Sequence, residues 1–191
     1  MDYINTNLEF YDNKIVVEDT GSDWNGFEVM MDWEHPMMSS SAAYVTENGG
    51  DILEIGFGMG ISAGYIQSHS VSSHTIIEPH PQMVEKAVEW SNGKSNVTII
   101  SQSWADVTGS LGTYDGIFYD TSFDDKGNLF SSSLSELTKT GTKLSVFNSY
   151  SSEINDHNIE MNYKQINVST PNSASQYFNN DNVYYMPIKE F

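Results

Sequence analysis

The chain has 191 residues and a formal net charge of −18; its eight basic residues are all lysine, and it has no arginine and no cysteine. That balance excludes the basic face a nucleic-acid partner requires, and the missing thiols exclude disulfides, thiolate catalysis and zinc–sulfur sites. No run of about 18 apolar residues could span a membrane, and the start, Met1-Asp-Tyr-Ile-Asn-Thr, lacks the basic and apolar regions of a signal peptide, so a soluble cytoplasmic protein is expected.

Residues 1–28 are polar with scattered aromatics (Tyr3, Phe10, Tyr11, Trp24, Phe27) and read as an N-terminal arm or lid laid over a surface, ahead of one domain spanning 29–191. Between 29 and 48, Met30, Trp33, Met37, Ala42 and Tyr44 follow roughly helical spacing that Pro36 interrupts. From residue 50 the pattern alternates. Strands are expected at 51–56, 74–78, 96–101, 114–119 and 143–148, and helices at 59–68, 81–92 and 128–139, with a weaker one near 151–158. Pro81 suits a first helical position and Gly93 a stop. Two further strands, 161–168 and 182–188, flank the polar loop Thr170 to Asp181. The order implies an α/β fold: a doubly wound, mainly parallel sheet that ends in a C-terminal antiparallel hairpin.

The most informative stretch is Asp51-Ile-Leu-Glu-Ile-Gly-Phe-Gly-Met-Gly-Ile-Ser62. An apolar strand runs into Gly56, Gly58 and Gly60, where a ligand can approach the backbone closely, and the helix that follows aims its first amides at that ligand. Glu54 precedes the glycines, and Glu78 ends the next apolar run about 20 residues on, the usual offset for an acid on ribose hydroxyls. The set reads as a site for an adenosine-containing cofactor; a dinucleotide fingerprint needs glycine where Ile61 stands, so that match fails by one residue.

Three other segments accompany this loop: Val29-Met-Met-Asp-Trp-Glu-His-Pro-Met-Met38, Gly116-Ile-Phe-Tyr-Asp-Thr121 and Leu137-Thr-Lys-Thr-Gly-Thr-Lys-Leu-Ser-Val-Phe-Asn148. Together they resemble the guanidinoacetate N-methyltransferases and the fungal-type arginine N-methyltransferases, class I enzymes with a Rossmann-like fold that use S-adenosylmethionine. The resemblance is good over about residues 28–150 and loose at Val183-Tyr-Tyr-Met-Pro187. It implies cofactor contacts at Met30, Met38, Phe57, Gly58, Met59, Gly60, Ile61 and Ser62. Gly56 belongs to the same loop, and Glu54 is implied at the amino-acid end of the cofactor. The resemblance further implies Glu78 on the ribose and Ser103 and Trp104 beside the adenine. Glu34 and Asp120 match the carboxylates that hold a guanidino group, with Thr121 beside them. Ser149 and Tyr150 stand where backbone amides meet a substrate carboxylate, although Asn148-Ser-Tyr-Ser departs from the family's N-L-T-S.

These residues suit methyl transfer. A guanidinium stays protonated far above neutral pH, so its lone pair is tied up until a base accepts a proton. Two carboxylates can fix its planar fork and one can take that proton. Asp120 follows a central strand, at the edge where open α/β sheets bind ligands, and is expected to be the principal base, with Glu34 as clamp. On residue type alone, Asp120 serves as well to cap a turn, and Glu34 as a solvated helix charge. The methionines are suited to core packing. The five histidines show no metal spacing and read as surface or packing residues, and the acid pair Asp124-Asp125 reads as solvated loop charge. The expected activity is N-methylation of a small guanidino compound, guanidinoacetate- or arginine-like. The alternatives are a peptide or protein arginine as acceptor, or a protein that binds S-adenosylmethionine without catalysis.

Overall fold

The computed structural model describes residues 3–121, 127–150, 152–155, 157–171 and 182–191. The loop acids Asp124-Asp125 and most of the 170–181 loop lie outside the described residues. Among the described residues, a seven-stranded sheet carries the architecture expected from the alternating pattern. Its strands are β4 (Asp51–Ile55), β5 (Ser73–Ile77), β6 (Val97–Ile100), β7 (Tyr114–Tyr119), β8 (Thr138–Val146), β9 (Asn162–Asn167) and β10 (Val183–Glu190), in the spatial order β6-β5-β4-β7-β8-β10-β9. The first five are mutually parallel. β10 inserts antiparallel between β8 and β9, which forms the C-terminal hairpin.

Both faces of the sheet are covered. On one, Leu53, Ile55, Ile117, Tyr119, Leu144 and Val146 pack with Trp104, Phe130 and Leu134, from the short helix α4 (Trp104–Val107) and from α5 (Gly127–Leu137). On the other, Ile52, Phe118, Tyr184 and Met186 meet Met37, Met38, Ala42 and Val45 of α1 (His35–Val45) and Ile61 and Ile66 of α2 (Ile61–Ser68). Strands buried on both faces read as continuous apolar runs, which is why Ile-Leu and Ile-Ile were legible as strands. Gly116 lets α1 approach β7, since a Cβ there would lie 1.9 Å from the Val45 carbonyl oxygen.

Three regions differ from expectation. The N-terminal residues form a three-stranded antiparallel sheet, β1 (Leu8–Tyr11), β2 (Lys14–Val17) and β3 (Glu28–Met31). Leu8, Ile15 and Val17 are buried there, with Met83 from α3 (Pro81–Ser91). Short strands of four residues, two of them ending in polar turns, gave too few alternations to be read as a sheet with its own core. Gln82 fastens this sheet to α3, donating to the Leu8 carbonyl (3.0 Å) and accepting from the Leu8 amide (2.8 Å). Secondly, the helix expected across 29–48 is confined to α1. Met30 belongs to a strand, and Pro36 sits in the first turn of the helix, where its missing N–H costs nothing, so it starts α1 rather than interrupting it. Thirdly, the described residues of 151–158 form no helix. Asn155 organises a turn there, its Oδ1 accepting from the His157 amide at 3.0 Å.

Candidate active site

The strand order reverses between β5-β4 and β4-β7, and the carboxyl ends of β4 and β7 open at that switch point. Asp120 follows β7 directly and its amide donates to the Ile55 carbonyl (2.9 Å). Gly56 turns away beside it at φ +96°, where a Cβ would stand 1.9 Å from the Asp120 carbonyl oxygen. Only glycine permits that crossing. The expected base and the glycine loop are thus in backbone contact.

The loop has the features of a cradle for an adenosine cofactor. Gly60 leads into α2 at φ +72°, so the first amides of that helix face the crevice. Glu78, 5% exposed, lies at the end of β5 and accepts from the Phe57 amide (3.0 Å) and the His80 amide (2.8 Å). A carboxylate offers about four acceptor positions, so two remain for ribose hydroxyls. Burial pushes this carboxyl up to about 7, against the lowering effect of the two amides. Met30 lies across the loop, its sulfur 3.0 Å from the Met59 amide. Phe57, Ile61 and Ser62 are buried around it. These residues fit the cofactor that the sequence implied.

The remaining expected contacts lie around this loop and in the core beside it. Met38 is buried in the α1 core, and Trp104 is 4% exposed with its ring edge-on to Tyr119 (5.7 Å) and Phe130 (5.6 Å). Ser103 precedes α4 beside it, near the end of β6, where the Glu78 amide donates to the Ile100 carbonyl (3.0 Å). Glu54 is not in the open crevice. It is wholly buried, and its two oxygens are taken by Ser62 Oγ and His74 Nε2.

Glu34 ends a 3₁₀ turn, Asp32–Glu34, between β3 and α1. The turn folds its carboxylate back so that Oε1 accepts the Met31 amide (2.8 Å), and it is 6% exposed. Burial raises its carboxyl to about 8, with the charge of Asp120 the next cause. Asp120 is half-buried at the cleft, and burial followed by the charges of Glu54 and Glu78 raises it to about 7. The charge of Asp120 is thus felt at Glu34. Two acids distant in sequence thus share one electrostatic site, both short of counter-charge. Thr121 places a buried hydroxyl beside them that has no partner among the described residues.

Tyr184 escaped the sequence reading. It is 1% exposed on β10, its hydroxyl accepts from the Asn148 amide (3.1 Å), and Asp120 and Glu34 both add to the burial that raises its phenol. The alternation along β10, with Tyr184 and Met186 both buried, is the signal that could have found it. Tyr184 holds the loop after β8 through that bond. In that loop Ser149 and Tyr150 are exposed, and the Tyr150 amide donates to Asn148 Oδ1 (3.0 Å). One of the two amides expected at a substrate carboxylate is therefore engaged within the chain.

Comparison with known proteins places this arrangement. The family model for guanidinoacetate N-methyltransferase matches residues 11–146. A protein named protein arginine N-methyltransferase 2 from Aspergillus oryzae is 36% identical over 156 residues, 76% of this chain and 36% of that protein. Its namesake from Kluyveromyces lactis is 31% identical over 217 residues, 97% of this chain and 52% of its own length. The chain thus spans about a third to a half of the curated relatives it matches. Among solved structures, spermidine synthase from Thermotoga maritima superposes with a TM-score of 0.65 at 13% identity, covering 96% of this chain and 72% of that one. N-methyltransferase NodS from Bradyrhizobium japonicum WM9 gives 0.62 at 11% identity, covering 82% and 94%. These neighbours share the class I methyltransferase fold.

Proposed function

The chain belongs to the guanidinoacetate N-methyltransferase family, and from that premise we propose that it transfers a methyl group from S-adenosylmethionine to the guanidino nitrogen of a small guanidinoacetate- or arginine-like molecule. What supports this reading is that Glu34, buried after β3, lies near enough to Asp120 at the sheet's switch point for the charge of Asp120 to raise its carboxyl. Glu78, Phe57 and the glycine loop hold the cofactor, which when bound supplies an electrophilic methyl group on a sulfonium. Asp120 and Glu34 accept N–H bonds from the guanidinium and fix which nitrogen faces the methyl group. Asp120, at the tip of the central strand, accepts the proton that this nitrogen loses as it gains a carbon. Glu34 keeps one oxygen on the Met31 amide and presents the other as a clamp.

A second reading, with arginine in a peptide or protein as acceptor, is favoured by the engaged Tyr150 amide, because an embedded arginine brings no free carboxylate to that loop. The names of the relatives agree with it. The test is a turnover assay with S-adenosylmethionine against guanidinoacetate, free arginine, a guanidino amine lacking a carboxylate, and an arginine-containing peptide, with mass detection of methyl gain. Products from the free guanidino acids support the first reading, and product from the peptide alone supports the second. Methylation confined to compounds without a guanidino group overturns both.

A further inference from the structure

Beneath the glycine loop lies a set of polar side chains that methyl transfer as described above does not use. Glu54, the penultimate residue of β4, is 0% exposed. Ser62 Oγ, from the first turn of α2, donates to Oε1, and His74 Nε2 of β5 lies 2.9 Å from Oε2. His74 is also 0% exposed, and its Nδ1 is 3.4 Å from the side-chain nitrogen of Gln67 on α2. An amide N–H can only donate, so Nδ1 is the acceptor and the ring proton resides on Nε2, directed at Glu54. In that tautomer each oxygen of Glu54 faces a donor, an arrangement that favours the charged form of a carboxylate.

We infer that Gln67, His74, Glu54 and Ser62 form a buried relay that keeps a fixed negative charge under the glycine loop, with His74 a positioning residue that acts through Glu54 to favour a cationic sulfonium cofactor over its uncharged thioether product. The inference rests on the reading that this loop holds S-adenosylmethionine. The groups that face the relay are consistent with it. α2 contributes the neutral Ser62 and Gln67. Trp90 of α3 sets its ring edge-on to His74 at 6.3 Å and carries Lys94 Nζ over its centroid at 4.4 Å. Glu78 from the end of β5 and Asp120 from the end of β7 both feel the charge on Glu54. Because Glu54 is shut off from water, its field reaches the loop with little screening. A sulfonium gains from that field and a thioether does not, so the relay weakens the hold on the cofactor once its methyl group has gone.

The test is calorimetric binding of S-adenosylmethionine and of S-adenosylhomocysteine to the whole chain and to three variants. Glu54→Gln is expected to weaken the sulfonium by about tenfold and the thioether by less than about threefold, as one lost charge nearby requires. His74→Leu, which strips the donor from Glu54, gives the same loss of preference. His74→Gln, whose amide N–H replaces the ring donor, restores the original ratio. Equal weakening of both ligands in Glu54→Gln and His74→Leu means mere loosening of the loop and overturns the relay. An unmodified chain that binds neither ligand overturns the cofactor reading instead. In that case the relay is judged on the free protein by nitrogen-15 spectra of the histidines, with His74→Gln identifying the signal. A neutral Nε2–H ring at neutral pH upholds it, and an Nδ1–H or doubly protonated ring refutes it.

Discussion

Replacing Glu34 by glutamine separates the cost of this site from its use. The buried Glu34 carboxyl sits at about 8, against 4.5 in the unfolded chain. A carboxyl raised on folding contributes stability that is fully present below the unfolded value and lost as the pH climbs through the folded one. At about pH 9 the folded protein holds the group ionised, and the difference of about 3.5 pH units converts at 1.36 kcal/mol each to an upper limit of roughly 5 kcal/mol. Relaxation of the cleft and entry of water reduce this to about 2 kcal/mol. Glutamine keeps the Oε1 that accepts the Met31 amide and carries no charge. Glu34→Gln is therefore expected to raise the thermal midpoint by about 4–8 °C at about pH 9 and to leave it nearly unchanged at about pH 5. Unfolding followed by circular dichroism at both pH values measures this. An equal change at the two pH values, or a fall at the higher one, would refute the argument that the site carries uncompensated charge.

Asp120→Asn should lower turnover on the guanidino substrate by 100-fold or more while cofactor affinity changes little; loss of both together would point to a collapsed loop instead. Binding of a guanidinium should draw Glu34 and Asp120 into their ionised forms and release protons near pH 7. Calorimetry in two buffers of different ionisation enthalpy reads this as a buffer-dependent heat, and identical heats would contradict it. Gly56→Ala brings a methyl group against the Asp120 carbonyl at a φ of +96° and should cost more than about 3 kcal/mol in urea unfolding. A loss under about 1 kcal/mol would show that the crossing is looser than it looks.

The central sheet was legible because its strands are short apolar runs punctuated by glycine and proline, a local signal that survives burial. Glu34 and Asp120 were legible only as members of motifs, and neither residue type nor spacing says that a strand tip and a 3₁₀ turn meet in space. The N-terminal sheet was missed because its core is completed by Met83, more than 60 residues away. His74 reads as an ordinary packing residue until the register of β4 against β5 sets it diagonally across from Glu54. Tyr184 lay where the family resemblance is loose, yet its hydroxyl holds the loop that follows β8.

The two carboxylates of the proposed guanidino site ride on different parts of the chain. Asp120 belongs to the central sheet, whereas Glu34 is carried in at the end of β3, whose own sheet is fastened to α3 through the two bonds of Gln82. On the proposed reading, a protease cut that prises that small sheet loose carries off Glu34 and also Met30, whose sulfur lies on the glycine loop, and leaves Glu78 and Phe57 in place. Such a cut is expected to cost the acceptor more than the donor.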